Sequence, residues 1–227
     1  MNKNEIKQSC AREALKYIKE NSIIGLGGGG TIAYLIEYLV EKIKEGFKIK
    51  VVTPSISTKM LCIKNGIEVL HTSSADKISI AFDGCDEVDG NLNALKSGGG
   101  IHTKEKLIAS MAEEYILLVD DSKFVKILDF KYPVVLEILK DSLSYVETKV
   151  KELGGVPEMR VSNAKDGFIV SDNGNFLMDV KFEQVEDIQK LERNLMNIHG
   201  VIDTSLFVNV VDKAIVAGEH GVRVVSG

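Results

Sequence analysis

The sequence predicts an α/β protein in two parts, a parallel sheet covered on both faces by helices and a smaller inserted α+β unit. Three observations carry this. Up to about residue 130, helical apolar patterns alternate with short apolar runs, the rhythm of a parallel sheet. From 131 to 205 the order becomes β-α-β-β-β-α-β, which suits a split-βαβ sandwich. The tail AIVAGEHGVRVV then reads as strand returning to the first part, so 1–130 plus 206–227 is set against 131–205.

Residues 5 to 20 place Ile6, Cys10, Ala14 and Ile18 four apart, one stripe of an amphipathic helix. Ile23 to Leu26 reads as a buried strand, the following glycines as a turn, and Thr31 to Glu45 as a helix. FKIKVVT (47–53) is the next strand, and Thr58 to Asn65 a helix stopped by Gly66. IEVL (67–70) and ISIAF (78–82) read as strands, Thr103 to Glu114 as a helix, and YILLVD (115–120) as another strand. In the second part, VVLEIL (134–139) is strand and Ser142 to Leu153 a helix closed by Gly154 and Gly155. EMRVS is strand, and FIVSDNGNFLMDV a hairpin turning at Asp172–Asn175. Val185 to Ile198 is helical and VIDTSLFV (201–208) extended.

The bulk numbers exclude several classes. Net charge is −5, from 28 basic and 33 acidic residues without a long block of either sign. The basic stripe of a nucleic-acid binder is missing, and no apolar run reaches the ~20 residues of a membrane span. Cys10, Cys62 and Cys85 are too few and scattered for a disulfide framework or a CxxC knuckle. The N-terminal stretch lacks a signal-peptide core. The expectation is a soluble cytoplasmic protein.

Two glycine-rich loops hold the chemistry. In IIGLGGGGTIAYLIEYL, Gly25, Gly27 and Gly30 satisfy G-x-G-x-x-G between strand and helix, where bare backbone can approach a phosphate. A dinucleotide site would need an acid after the next strand, but Thr53-Pro54-Ser55-Ile56-Ser57-Thr58 stands there. A triphosphate P-loop would need Lys-Ser/Thr after the last glycine, and Thr31-Ile32 follows instead. A tight turn without a ligand also accounts for these glycines taken alone.

The second loop is AFDGCDEVDGNLNALKSGGGIHTKEKLIAS, residues 81–110. Asp83 and Asp86 follow a strand directly, at a carboxyl end where parallel sheets bind ligands. Lys96, Gly98-Gly99-Gly100 and then Glu105, in a helix's first turn, come next. Singly, the aspartates are ordinary turn formers and Glu105 a partner of the helix dipole. Together they point to a site. A calcium loop with Gly90 at its sixth position would put Cys85 where an oxygen ligand is required. His71, His102, His199 and His220 show no ligand spacing, so no metal is expected. LLVDDSKFVKIL ends another strand and offers Lys123 to the same crevice.

These residues resemble one family closely, ribose-5-phosphate isomerase type A. The likeness runs through the glycine turn with Thr31, Ser57-Thr58, DGCDEVDGNLNALKSGGG, Thr103-Lys104-Glu105-Lys106, Val119-Asp120-Asp121-Ser122-Lys123 and the Ser171–Asn175 hairpin. It implies a Rossmann-like domain with a ferredoxin-like insertion. It also implies a metal-free, cofactor-free aldose–ketose isomerase of carbohydrate metabolism, interconverting D-ribose 5-phosphate and D-ribulose 5-phosphate in the non-oxidative pentose phosphate pathway. Glu105 matches the family's proton-transferring base, Asp83 and Asp86 its sugar-binding acids, Lys96 a catalytic lysine and Lys123 a substrate-binding lysine. Gly28, Gly29, Gly30 and Thr31 match one binding loop, and Lys96, Ser97, Gly98 and Gly99 the other. Gly84 and Cys85 lie between the two acids, and Lys7 falls where the family places a phosphate-contacting lysine. A homodimer or homotetramer is implied as well.

The chemistry suits these residue types. One carboxylate can move a proton between C1 and C2 through an enediolate, and an ammonium beside a backbone nest can hold the developing oxyanion. Members of the family usually carry Thr at 28 and Ser at 30, where this chain has glycine, so two hydroxyl donors are lost and weaker phosphate binding is expected. Cys85 replaces a usual alanine and Ser97 a usual glycine, and Pro133 to Glu137 follow the pattern loosely. Competing expectations are a phosphosugar-binding sensor without catalysis, a sugar-phosphate deaminase and a CoA transferase.

Overall fold

The computed structural model describes residues 2–227. The chain opens with α1 (Lys3–Leu15), β1 (Ser22–Leu26), α2 (Gly30–Lys44), β2 (Ile49–Val52) and α3 (Ile56–Lys64). Next come β3 (Ile80–Asp83), two short strands β4 (Glu87–Val88) and β5 (Ala94–Leu95), α4 (His102–Met111) and β6 (Tyr115–Asp120). The middle forms β7 (Val134–Ile138), α5 (Leu143–Glu152), β8 (Val156–Met159), β9 (Val161–Ser162), β10 (Lys165–Phe168), β11 (Phe176–Lys181), α6 (Ile188–Met196) and β12 (Val201–Thr204). β13 (Leu206–Phe207), β14 (Lys213–Gly218) and β15 (Gly221–Ser226) close it.

The main sheet has the order β15-β14-β6-β3-β1-β2. Its pairings are parallel except for β14–β15, a hairpin that supplies an antiparallel edge. Strand alternation divides its side chains between two buried faces. Ile24, Leu26, Phe82, Ile116, Leu118 and Ile215 meet α1 and α2 on one, while Ala81, Tyr115, Leu117, Val119 and Val216 meet Ile108 and Ala109 of α4 on the other. The tail thus forms two strands of this sheet.

The smaller sheet, in the order β12-β7-β11-β8, is antiparallel throughout. With α5 and α6 it is the ferredoxin-like βαββαβ arrangement. Val146 and Val150 of α5 and Leu191 and Leu195 of α6 pack with Val134, Leu136, Met178 and Val180 of its strands in one core. A three-stranded ribbon, β13-β5-β4, contributes Val88, Ala94 and Phe207 to the core around α4 and Leu95 and Leu206 to the core of the smaller sheet.

Several boundaries differ from the sequence reading, each for a local reason. α1 begins with a capping box, Asn2 accepting from the Glu5 amide while Glu5 accepts from the Asn2 amide. It ends at Leu15, before the expected 20, although Ile18 remains buried and so continued the apolar stripe. α3 starts two residues early because Ser55 caps it, accepting from the Thr58 amide at 3.2 Å. α4 stops at Met111, since Ala112 is extended and Glu113 N donates to Ile78 O. IEVL gives only one parallel bridge, Val69 to Val51. The expected hairpin keeps its turn, with Gly174 N donating to Ser171 O. Its first arm forms one isolated bridge with β11, Val170–Phe176, and accepts from Leu177 N at Ile169 O, while β10 pairs with β9.

Candidate active site

The chain leaves β1 toward β2 on one side and later returns to β3 on the other. At such a reversal the strand carboxyl ends open a crevice. Two sequence-predicted groups meet there.

The first is a cradle. Gly28, Gly29 and Gly30 lead from β1 into α2, with Gly29 in the left-handed region at φ +98°. They line a cavity of about 140 Å³ together with Lys7, Thr31, Gly84, Asp120 and Lys123. The first intrahelical bond of α2 is Ala33 N to Gly29 O, so the amides of Gly30, Thr31 and Ile32 have no partner within the helix. Backbone donors, the positive end of a helix and two lysines give this cavity the groups that could hold an anion, with Asp120 the one carboxylate on its wall. Lys123 is steadied by donating to Cys85 O at 2.6 Å. Glycine at 30 leaves room for Lys7, whose Nζ lies 3.1 Å from where a β-carbon would stand.

The second is a buried centre. Lys96 Nζ lies 3.1 Å from Asp83 Oδ2 and 3.4 Å from Glu105 Oε1, and also donates to Gly84 O. All three side chains are nearly inaccessible. Asp83 belongs to both groups: its Oδ1 accepts from Gly28 N at 3.3 Å and Gly84 N at 2.8 Å, while its Oδ2 faces Lys96. Glu105 Oε2 is buried with no hydrogen-bond partner among the described residues.

Electrostatics follow from this burial. Glu105 is pushed up to about 8, by burial first and then by Asp83, against the pull of Lys96. Burial pulls the pKa of Lys96 down, but Asp83 and Glu105 more than offset it and hold it above that of an ordinary lysine. The result is an ammonium fixed between two carboxyl groups, one of which takes up and releases a proton near neutrality.

The remaining predicted residues lie around this centre without touching its three side chains, and they differ in what they hold. Asp86 Oδ2 accepts from Gly98 N at 2.9 Å, tying the second glycine loop to the strand end. Gly99 and Gly100 both have positive φ. Ser97 does not face the centre; its hydroxyl donates to Pro133 O and its carbonyl accepts from Arg160 Nη2 at 2.8 Å. Burial pushes the Cys85 thiol up to about 12, and only its carbonyl is engaged, by Lys123. A larger open groove of about 1120 Å³ runs between α3 and α4, but Asp83, Lys96 and Glu105 do not line it.

Sequence reasoning missed Tyr115, whose hydroxyl donates to Asp83 Oδ2 at 3.5 Å from beneath the site. It also missed Arg160, which forks onto Asp179 from β8's end and reaches Ser97. Nothing local marks either residue.

Fold and site together define an α/β protein in which a glycine-lined cavity stands beside a buried carboxyl–ammonium centre. Residues 50–221 match the family model described as ribose 5-phosphate isomerase A (phosphoriboisomerase A). A ribose-5-phosphate isomerase A of Thermosynechococcus vestitus is 39% identical over 95% of this chain and 92% of its own length. That of Pyrococcus furiosus is 39% identical over 98% of each. Two solved structures cover 100% of both chains. Ribose 5-phosphate isomerase A from Methanocaldococcus jannaschii has TM-score 0.93 at 34% identity. A D-ribose-5-phosphate isomerase in complex with phospho-erythronic acid has TM-score 0.94 at 37% identity. The chain belongs to the ribose 5-phosphate isomerase A family.

Proposed function

We propose that this protein interconverts D-ribose 5-phosphate and D-ribulose 5-phosphate by proton transfer through an enediolate. The observation that carries this reading is Lys96 held between Asp83 and Glu105, next to a phosphate-sized cradle and sharing Asp83 with it. Family membership supports it. So does the complex of a similar enzyme with phospho-erythronic acid, a phosphorylated sugar acid whose carboxylate mimics the charge of an enediolate.

In the proposed mechanism the phosphate, with about two negative charges, sits on the Gly28–Thr31 amides with Lys7 and Lys123. The open-chain sugar extends toward the buried centre. Ionised Glu105 takes the C2 proton of the aldose; the C2–H electron pair becomes the C1–C2 double bond, and O1 gains the negative charge. Lys96 stabilises that oxyanion. Asp83 or Asp86 carries the proton from O2 to O1, and Glu105 returns its proton to C1, giving the ketose. Atoms and charge balance without a redox partner. Among the described residues no helix is long and apolar enough to cross a membrane. By family resemblance we further propose a cytoplasmic homodimer or homotetramer, a state that light scattering tests.

The decisive experiment follows ribose 5-phosphate conversion with chelator present, in wild type and Glu105→Gln. Wild type converts the sugar and the variant does not. Inactive wild type overturns the reading, and ammonia released from an amino sugar phosphate would replace it with deamination. An active variant removes Glu105 from its role.

A further inference from the structure

We propose that Glu137, on the smaller sheet, is a positioning residue that sets Glu105 through Thr103. This rests on the isomerase reading above only for its kinetic consequence.

α4 carries Glu105 in its first turn but lacks its own start: the N-cap, Ile101, makes no side-chain bond. The first intrahelical bond is Glu105 N to Ile101 O, leaving the preceding amides without helix partners. An uncapped first turn frays, and a frayed turn would carry Glu105 away from Lys96. The restraint comes from the other part of the chain. Thr103 Oγ1 donates to Glu137 Oε2. Thr103 and Glu105 are two residues apart, about 200° around a helix, so they face opposite sides. Glu137 holds one side and Lys96 the other, which fixes the turn's rotation about its axis.

Glu137 is built for this. It is 1% exposed, and among the described residues no lysine or arginine lies within ion-pair distance of it. Its Oε1 accepts from Ser171 Oγ at 2.6 Å, Asn173 Nδ2 at 3.1 Å and Asn175 Nδ2 at 2.9 Å, all from one hairpin. Burial opposes its charge, yet the hydroxyl and amide donors outweigh burial and keep its carboxyl below the usual range. A buried carboxylate without a countercharge is costly. Here its second oxygen, which also accepts from Asn173 Nδ2 at 3.3 Å, holds the helix turn that bears Glu105. Three alternate residues of a surface hairpin are thereby linked, through one carboxylate, to the proton-transferring group.

The test compares wild type, Thr103→Val, which keeps the shape and removes the hydroxyl, and Thr103→Ser, which restores it. Thr103→Val should lose about tenfold in kcat with KM within about twofold, and Thr103→Ser should recover to within about twofold. Hydrogen exchange of the Glu105 amide should quicken about tenfold in Thr103→Val without global unfolding. Wild-type kcat in Thr103→Val, or no recovery in Thr103→Ser, overturns the proposal while the isomerase reading stands. If wild type proves inactive on ribose 5-phosphate, the exchange measurement still decides: unchanged protection at Glu105 overturns the clamp, and faster exchange supports it.

Discussion

Gly27 touches Asp83 so closely that a β-carbon at position 27 would fall 1.9 Å from its Oδ1 and 2.4 Å from its Oδ2. The end of β1 and the carboxylate that holds Lys96 therefore share one space. Gly27→Ala must move Asp83 or the loop, and overpacking of this kind costs about 1–3 kcal/mol. We expect kcat/KM to fall at least about tenfold while the circular dichroism spectrum stays native. An alanine variant with wild-type kinetics would show that Asp83 need not sit where it does.

Glu105→Gln separates catalysis from stability. With Glu105 in the proposed proton-transferring role, loss of its carboxylate should lower kcat by about 10²–10⁴-fold. The folded protein raises Glu105 from 4.5 to about 8, so the native state holds this proton more tightly than the unfolded chain does. Its contribution is complete below 4.5 and is lost as pH rises through 8. Glutamine cannot ionise, so the variant's melting temperature should gain on wild type between about pH 5 and pH 9. A constant difference across that range would contradict the assignment.

The same group sets the rate profile. Glu105 must be ionised to accept a proton, so kcat/KM should climb with pH and level off above about 8. Lys96 is held above the ordinary lysine range and should add no descending limb at lower pH. An ascending limb near 4.5, the ordinary carboxyl value, would mean that burial does not govern Glu105 in the free enzyme.

Gly30→Ser tests the cradle. The new Cβ would stand 3.1 Å from Lys7 Nζ, the free end of a flexible chain, which has only to shift by a few tenths of an ångström. The hydroxyl adds one donor to the phosphate, worth about 0.5–1.5 kcal/mol net, so KM should fall about two- to tenfold. A rise in KM would mean that Lys7 needs all the space that glycine leaves.

Much of this was legible because the residues that signal it are local. Asp83 follows a continuous apolar run, so its place at a strand end could be read directly. The Gly28–Gly30 turn was equally plain. The β4–β5–β13 ribbon was not, since two-residue strands carry no period and are set by pairings far along the chain, as between Leu206 and Leu95. Glu137 read as one polar position in VVLEIL because its donors lie 34 residues earlier, at Thr103, and 34 to 38 residues further on. A signal did exist in Ser171, Asn173 and Asn175, three polar side chains at period two in a turn. Such spacing presents them to one side, and only coordinates show that a carboxylate waits there.

The antiparallel edge hairpin has a consequence for biosynthesis. β14 lies between β6 and β15, and Cys10 of α1 donates to Ile215 O within it, so the N-terminal helix cannot dock fully until the final strands exist. On a ribosome, the ferredoxin-like segment emerges whole while the Rossmann-like sheet still lacks its last two strands. The part of the chain translated first is thus the last to be finished, and Glu137 with its hairpin donors is in place before Ile6, Lys7 and Cys10 of α1 close the cavity beside Gly28–Gly30.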